Sequence, residues 1–215
     1  MRKNRQWRET LAVATTNKGR TDTMTATNDR SQVPATSVTT WEIDPQASRV
    51  EFTARMRLMF IMKVTVLGRF TDVAGTLTID EREPANAPVT VTIGTASLDT
   101  KLAARDKHLY SADFFDVEHY PTMTFTSRSI KVLDQAAGHY RLTGTLTIRG
   151  VTREVSLDTW NVPPRTTGDS RLTFNLTTVL DRRDWGLSWS RPIQQIADEV
   201  NLALTIQFVP VSSAF

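Results

Sequence analysis

A closed, antiparallel all-β barrel of about eight strands with one short helix is the fold class predicted by three features of the 215-residue sequence. From Trp41 onward, apolar and polar residues alternate with period two, the mark of strands with one dry and one wet face. Threonines crowd the wet parity (Thr76 and Thr78; Thr90 and Thr92; Thr122, Thr124 and Thr126; Thr143, Thr145 and Thr147), and β-branched hydroxyl residues suit a solvated pleated face. The strands are long and joined in sequence, with a single helical stretch at Ala103–Tyr110, which fits a barrel better than a sandwich.

Taken in order, the first clear strand puts Val50, Phe52, Ala54 and Met56 on one parity and Glu51, Thr53, Arg55 and Arg57 on the other. Alternation stops over Met56–Met62, which holds three of the six methionines. Leu77 and Ile79, then Val89, Val91 and Ile93, carry the dry face on either side of a loop marked by Pro84, Asn86 and Pro88. The helix, flanked by Leu102 and carrying Leu109, runs into an apolar knot at Phe114-Phe115. Met123 and Phe125, then Tyr140, Leu142, Leu146 and Ile148, then Val155 and Leu157 give three more strands. Gly144 stands where a strand bends or packs closely, and Gly150 at a hairpin turn. Beyond a loop with Pro163-Pro164 and Gly168 come Leu172, Phe174 and Leu176, then the cleanest alternation, Val200, Leu202, Leu204, Ile206 and Phe208.

The expected organisation is a basic disordered tail over residues 1–38, a barrel over 39–210 and a short tail over 211–215. Residues 1–38 are rich in Thr, Ser, Asn and Arg and lack any period, so they cannot bury enough apolar surface to offset their ordering entropy. Met24 is an alternative start. The pI of 9.4 belongs to this tail. Residues 1–40 hold seven basic and three acidic residues, a net of +4, whereas nineteen basic and twenty acidic residues leave the rest at −1. A near-neutral body has no excess with which to neutralise a phosphate backbone, so no nucleic-acid partner is expected. No apolar run reaches the length of a transmembrane helix, and no apolar segment follows the basic start as in an export signal, so a cytoplasmic location is expected. The absence of cysteine removes disulfides, thiol chemistry and Cys-ligated zinc.

Two clusters invite a catalytic reading. Asp113, Asp116, Glu118 and His119 lie within seven residues, but their spacing matches neither an EF-hand nor a zinc site, so Asp113 and Asp116 are expected to fix the helix end and the loop. Arg105, Asp106, His108 and Ser111 contain the residue types of a hydrolase triad without a Gly-x-Ser-x-Gly elbow. No phosphate-cradling glycine loop is present, and neither catalysis, metal nor cofactor is expected.

A barrel of this size is either filled by side chains or holds one small ligand, and the alternation looks the same in both cases. A roughly 33 Å strand would line a space suited to an elongated apolar chain. The Met-rich run fits a lip over such a space, or a turn or dimer contact.

Several blocks, in order, resemble the YceI-like family of lipocalin-like polyisoprenoid-binding proteins. They are Trp41-Glu42-Ile43-Asp44-Pro45 with Ser48 and Phe52; Gly68-Arg69-Phe70 and Gly75-Thr76-Leu77; Asp99-Thr100, Arg105-Asp106, His108-Leu109, Ser111, Asp113–Val117, Tyr120-Pro121 and Phe125; and Gly144–Thr152. Arg182 with Asp184-Trp185-Gly186-Leu187 resembles an Arg-x-Asp-Phe-Gly pattern in which Trp replaces Phe. The resemblance spans residues 41 to about 209. It implies an eight-stranded lipocalin-like barrel with a helix at one end, an interior for a long isoprenoid or other amphipathic lipid, and often a homodimer. The Met-rich run departs from the family, where many members have a histidine and a small polar loop after the position of Phe52.

The expected function is binding, sequestration or transport of such a lipid. Its wall is assigned to Phe52, Met56, Phe125, Leu142, Leu146, Phe174, Leu176, Leu202 and Leu204, with Met59 on the lip and Phe114, Phe115 and Trp185 near one end. The alternative is a structural or stress-associated interaction protein with a filled barrel and a Met-rich contact surface.

Overall fold

The computed structural model describes residues 38–59, 62–80, 82–83, 87–163, 170–189 and 194–211. Most of the expected N-terminal tail (1–37), the last residues of the C-terminal tail (212–215) and Phe60-Ile61 of the Met-rich run lie outside the described residues.

The described residues form eleven strand segments: β1 (Val38–Ile43), β2 (Arg49–Leu58), β3 (Met62–Phe70), β4 (Val73–Asp80), β5 (Val89–Gly94), β6 (Leu98–Asp99), β7 (Thr122–Asp134), β8 (His139–Ile148), β9 (Val151–Val162), β10 (Leu172–Asp181) and β11 (Gln194–Pro210). Three pairs are single strands bent in the middle. Between β1 and β2, the Asp44 carboxylate accepts the backbone N–H of Gln46 at 2.9 Å and of Ala47 at 3.2 Å, turning the chain. Ser48 pins the bend to β11, where its hydroxyl accepts the Gln207 N–H at 3.0 Å. Residues 71–72 bend β3 into β4, and a 3-10 turn, Thr95–Ser97, bends β5 into β6.

With each bent pair taken as one strand, the sheet is an eight-stranded up-and-down antiparallel ring. The long β11 closes it. Its outer half pairs with β2 (Leu204 opposite Val50), and its end pairs with β1 (Phe208 opposite Ile43). Closure removes the two long edges that an open sheet would present, except along Met62–Gly68 of β3, which has no second strand neighbour among the described residues. Val38 and Val211 belong to this body rather than to tails: Val38 pairs with Asp80, and the Val211 N–H donates to the Thr40 carbonyl at 3.0 Å.

The period-two pattern is the ring's inside and outside. Trp41, Ile43, Leu77, Ile79, Ile206 and Phe208 are buried together, forming a packed base where β1 meets β4 and β11. Two glycines make the wall thin. A Cβ on Gly144 would overlap the Phe125 ring and the Thr126 carbonyl, and one on Gly68 would overlap the Phe52 ring, so each aromatic ring lies flat against a glycine across the strand pair. Gly144→Ala is therefore expected to cost about 1–3 kcal/mol through overpacking. Urea unfolding reads this directly, and an unchanged midpoint would mean that the Phe125 ring moves aside freely.

The one α-helix among the described residues, α1 (Ala103–Tyr110), follows β6 at the end of the barrel opposite the packed base. No side chain caps its start. Buried Thr100 ties it to the barrel instead: the Thr100 N–H and hydroxyl both donate to the Asp106 carboxylate, and Arg105 donates to the Thr100 hydroxyl and carbonyl, each at 2.7 Å. Tyr110 completes the tie, its hydroxyl donating to the Leu98 carbonyl at 2.6 Å.

Candidate functional site

Strand register brings most of the expected wall onto one inward face. Leu176 lies opposite Leu204, and Phe52 opposite Leu202 and Gly68; Phe125 lies opposite Leu146, and Leu142 opposite Leu157. Phe174 and Met56 share the parity. Burial along this face is graded. Val50, Phe70, Ile206 and Phe208 are buried, whereas Phe52, Ala54, Met56, Val64, Val200, Leu202 and Leu204 are only half-buried although they point inward; Val66, opposite Ala54, is the buried residue within that stretch. The half-buried inward side chains thus lie toward the end where β2 and β3 terminate, beside the stretch Met62–Gly68 that has no second strand neighbour among the described residues. Leu176, Leu142 and Phe125 are buried against the core, and Phe174 and Leu146 are half-buried.

The four residues expected at the lip and at one end lie off the wall itself. Met59 sits in the β2–β3 turn, 74% exposed and at a positive φ of 49°, away from the wall. Phe114 is buried in a cluster with His108 and Trp189, ring centroids 5.1 and 5.5 Å away. Phe115 packs edge-on against Phe70 at 5.7 Å, and Phe70 in turn packs on Phe52 at 5.8 Å, an aromatic chain from the end segment to the wall. Trp185 is 2% exposed, and its indole N–H donates to the Leu146 carbonyl at 3.1 Å.

The residue that sequence reasoning passed over is Arg182. Buried at the end of β10, its guanidinium donates to the carbonyls of Leu187, Trp189 (3.4 Å), Ile196 (3.1 Å) and Ala197 (3.1 Å) and to the Asp198 carboxylate (3.2 Å). Burial pushes its pKa down from the ordinary value, against the pull of Asp198 and Asp181. The cation ties residues 187–189, after the 3-10 turn, to Ile196, Ala197 and Asp198 of β11. An arginine at a strand end followed by Trp-Gly-Leu was the available signal.

The tempting chemistry dissolves into structural pairs. The Ser111 hydroxyl donates to the His108 main-chain carbonyl at 2.7 Å, while His108 Nε2 is 2.9 Å from Asp113. Asp116, at a positive φ of 49°, is 2.9 Å from His119 Nδ1. Asp113 thus ties the last turn of α1 to the following loop through His108, and Asp116 holds that loop through His119. Among the described residues, no group of three or more acids, histidines or cysteines is placed to hold a metal.

Two exposed aspartates set an acid limit. Asp99 is lowered to about 2, chiefly by the Lys101 ammonium at 2.6 Å, and Asp181 to about 2 by the Arg183 guanidinium at 2.7 Å. Because these folded-state values lie below the unfolded one, the stability they contribute is present above about pH 4 and is lost as pH falls towards 2. Thermal midpoints measured across that window are expected to fall less in Asp99→Asn than in the parent; parallel curves would contradict the assignment.

A recess of about 680 Å³ opens on the outer face of the barrel, with Glu51, Thr53, Ser156, Asp158, Thr177 and Asn201 in its lining. Phe52, Gly68 and Leu202 of the inward parity also line it, so the recess reaches the wall formed by β2, β3 and β11.

With this geometry, the family model for the YceI-like domain matches residues 41–208. The chain belongs to the YceI-like family. Among curated relatives, it is 50% identical to Protein YceI of Escherichia coli O157:H7 over 91 residues, 42% of this chain and 46% of that protein. The match thus spans about half of that relative's length. The barrel superposes on the crystal structure of Burkholderia cenocepacia BcnA with a TM-score of 0.65 and 23% identity, covering 77% of this chain and 98% of that one. A polyisoprenoid binding domain from Saccharophagus degradans, implicated in plant cell wall breakdown, gives a TM-score of 0.57 at 16% identity, covering 80% and 98%. Both structures share the barrel. Among the described residues of this YceI-like chain, no helix is long and apolar enough to cross a membrane.

Proposed function

We propose that this YceI-like barrel binds, and so sequesters or carries, the apolar chain of an isoprenoid or other amphipathic lipid in its lumen, without chemistry. The observation that carries the reading is the burial gradient. A lumen sealed at its base by Trp41, Ile43 and Phe208 and open where Phe52, Leu202, Val200 and Met56 are half-exposed has the shape of a one-ended sleeve. A long chain can enter it apolar end first and leave its polar head at the mouth. The Saccharophagus degradans domain, a polyisoprenoid binder with the same barrel, supports this reading.

Burial provides enough driving force. At about 25 cal/mol per Å², several hundred square ångströms of prenyl surface yield micromolar or tighter binding after association costs. Mass spectrometry of an organic extract of the purified full chain tests the proposal. A stoichiometric co-purifying lipid is the expected result, and a reproducibly empty protein that also takes up no added polyprenol would overturn it.

A further inference from the structure

The β2–β3 hairpin projects beyond the ring. Strand β6 pairs only with Arg69 and Phe70 of β3, so among the described residues Met62–Gly68 has no strand on its second side. Two methionines mark the tip, Met59 at 74% and Met62 at 62% exposure. Immediately behind them, on the outward face, stand Arg55, Arg57 and Lys63, all exposed, with Arg57 directly opposite Lys63 across the strands. None of these three has a side-chain partner among the described residues. Of the acids on the adjoining strands, Asp198 is engaged by Arg182 and Arg183 and Asp181 by Arg183, which leaves Glu199 of β11 as the one acid beside Arg55 against three cations. The inward face of the same hairpin, through Ala54, Met56 and Val64, continues into the lumen wall at Phe52 and Leu202.

We propose that this hairpin docks the protein on an anionic lipid surface, with Met59 and Met62 entering the headgroup boundary and Arg55, Arg57 and Lys63 binding lipid phosphates. Exposed apolar side chains backed by unpaired cations are what an interfacial anchor needs, and each cation near an anionic leaflet strengthens binding about fivefold. A second copy fits the patch less well, because a two-fold interface through this hairpin would set each chain's unpaired cations against the same cations of its partner. The role of the dock rests on the lumen reading: it would set the open mouth against the lipid reservoir.

Flotation of the full chain with vesicles of phosphatidylcholine, alone or mixed with phosphatidylglycerol, tests the docking. The parent is expected to float with anionic vesicles at low salt and to be released as salt screens the charges. Arg55→Gln/Arg57→Gln/Lys63→Gln is expected to lose roughly a hundredfold in partitioning, at about fivefold per cation, with an unchanged thermal midpoint and unchanged polyprenol uptake from detergent micelles. Met59→Ser/Met62→Ser is expected to weaken flotation as well. Equal flotation of the parent with neutral and anionic vesicles, or of parent and charge variant with anionic ones, would overturn the proposal. So would a methionine variant that only converts a dimer to a monomer. Failure of polyprenol uptake by every form, with flotation intact, would remove the lumen reading and leave the docking standing.

Discussion

Arg182→Met is expected to lower the unfolding free energy by about 3–5 kcal/mol, the range for removing one partner of a buried charged network. The methionine fills much of the arginine stem's volume, so the loss reports the guanidinium rather than a cavity. Four carbonyls lose a donor, and any that remain buried each cost about 1–3 kcal/mol. Two features keep the figure from running higher. Asp198 retains Arg183 at 3.3 Å, so no carboxylate is left alone, and part of the connection can open to water. Arg182→Lys keeps the charge but cannot aim five N–H groups along fixed directions, so it is expected to recover less than half of the loss. Urea unfolding of the three proteins decides the point. A loss under about 1 kcal/mol in Arg182→Met would show the site to be wetter than its burial indicates.

The second large effect separates the sleeve from a filled core. Leu204 and Phe174 point inward and are half-buried, whereas Leu176, opposite Leu204, is buried. If the barrel is the proposed sleeve, Trp at Leu204 or Phe174 enters ligand space. These variants are expected to lose polyprenol uptake by at least about tenfold, as for roughly 1.4 kcal/mol of lost burial, with modest loss of stability. Leu176→Trp meets packed neighbours and is expected to cost about 1–3 kcal/mol in strain. Equal, marked destabilisation at all three positions, together with a parent that takes up no lipid, would favour the filled barrel.

The inward and outward faces were legible in the sequence because a strand's period is two and a closed ring gives every strand the same wet and dry sides. Val200 to Phe208 reads identically as sequence and as structure. The bends were harder to read. Asp44-Pro45 announces a turn, but what makes β1 and β2 halves of one strand is Ser48 bonding Gln207, and that partner lies 159 residues away. Met59 was assigned to the lip from an unbroken apolar run, yet a run carries no information about where the ring ends, and the hairpin overshoots it. Composition also misplaces polar groups that serve the backbone. Nothing local to Arg182 shows that the carbonyls of Leu187, Ile196 and Ala197 converge on it, and nothing local to Asp113 and Asp116 shows that His108 and His119 are the partners through which they fix the helix end and the loop.

The central claim, a one-ended apolar sleeve, is tested most directly by titrating the full chain with polyprenols of increasing length and measuring the dissociation constant of each. A sleeve with a sealed base predicts that affinity rises with each added isoprene unit, as more apolar surface is buried, and levels off once the chain outgrows the lumen. It further predicts that Leu204→Trp moves the plateau to shorter chains. Absence of binding at every length, or an affinity that keeps rising with length in the parent and in Leu204→Trp alike, would contradict the account.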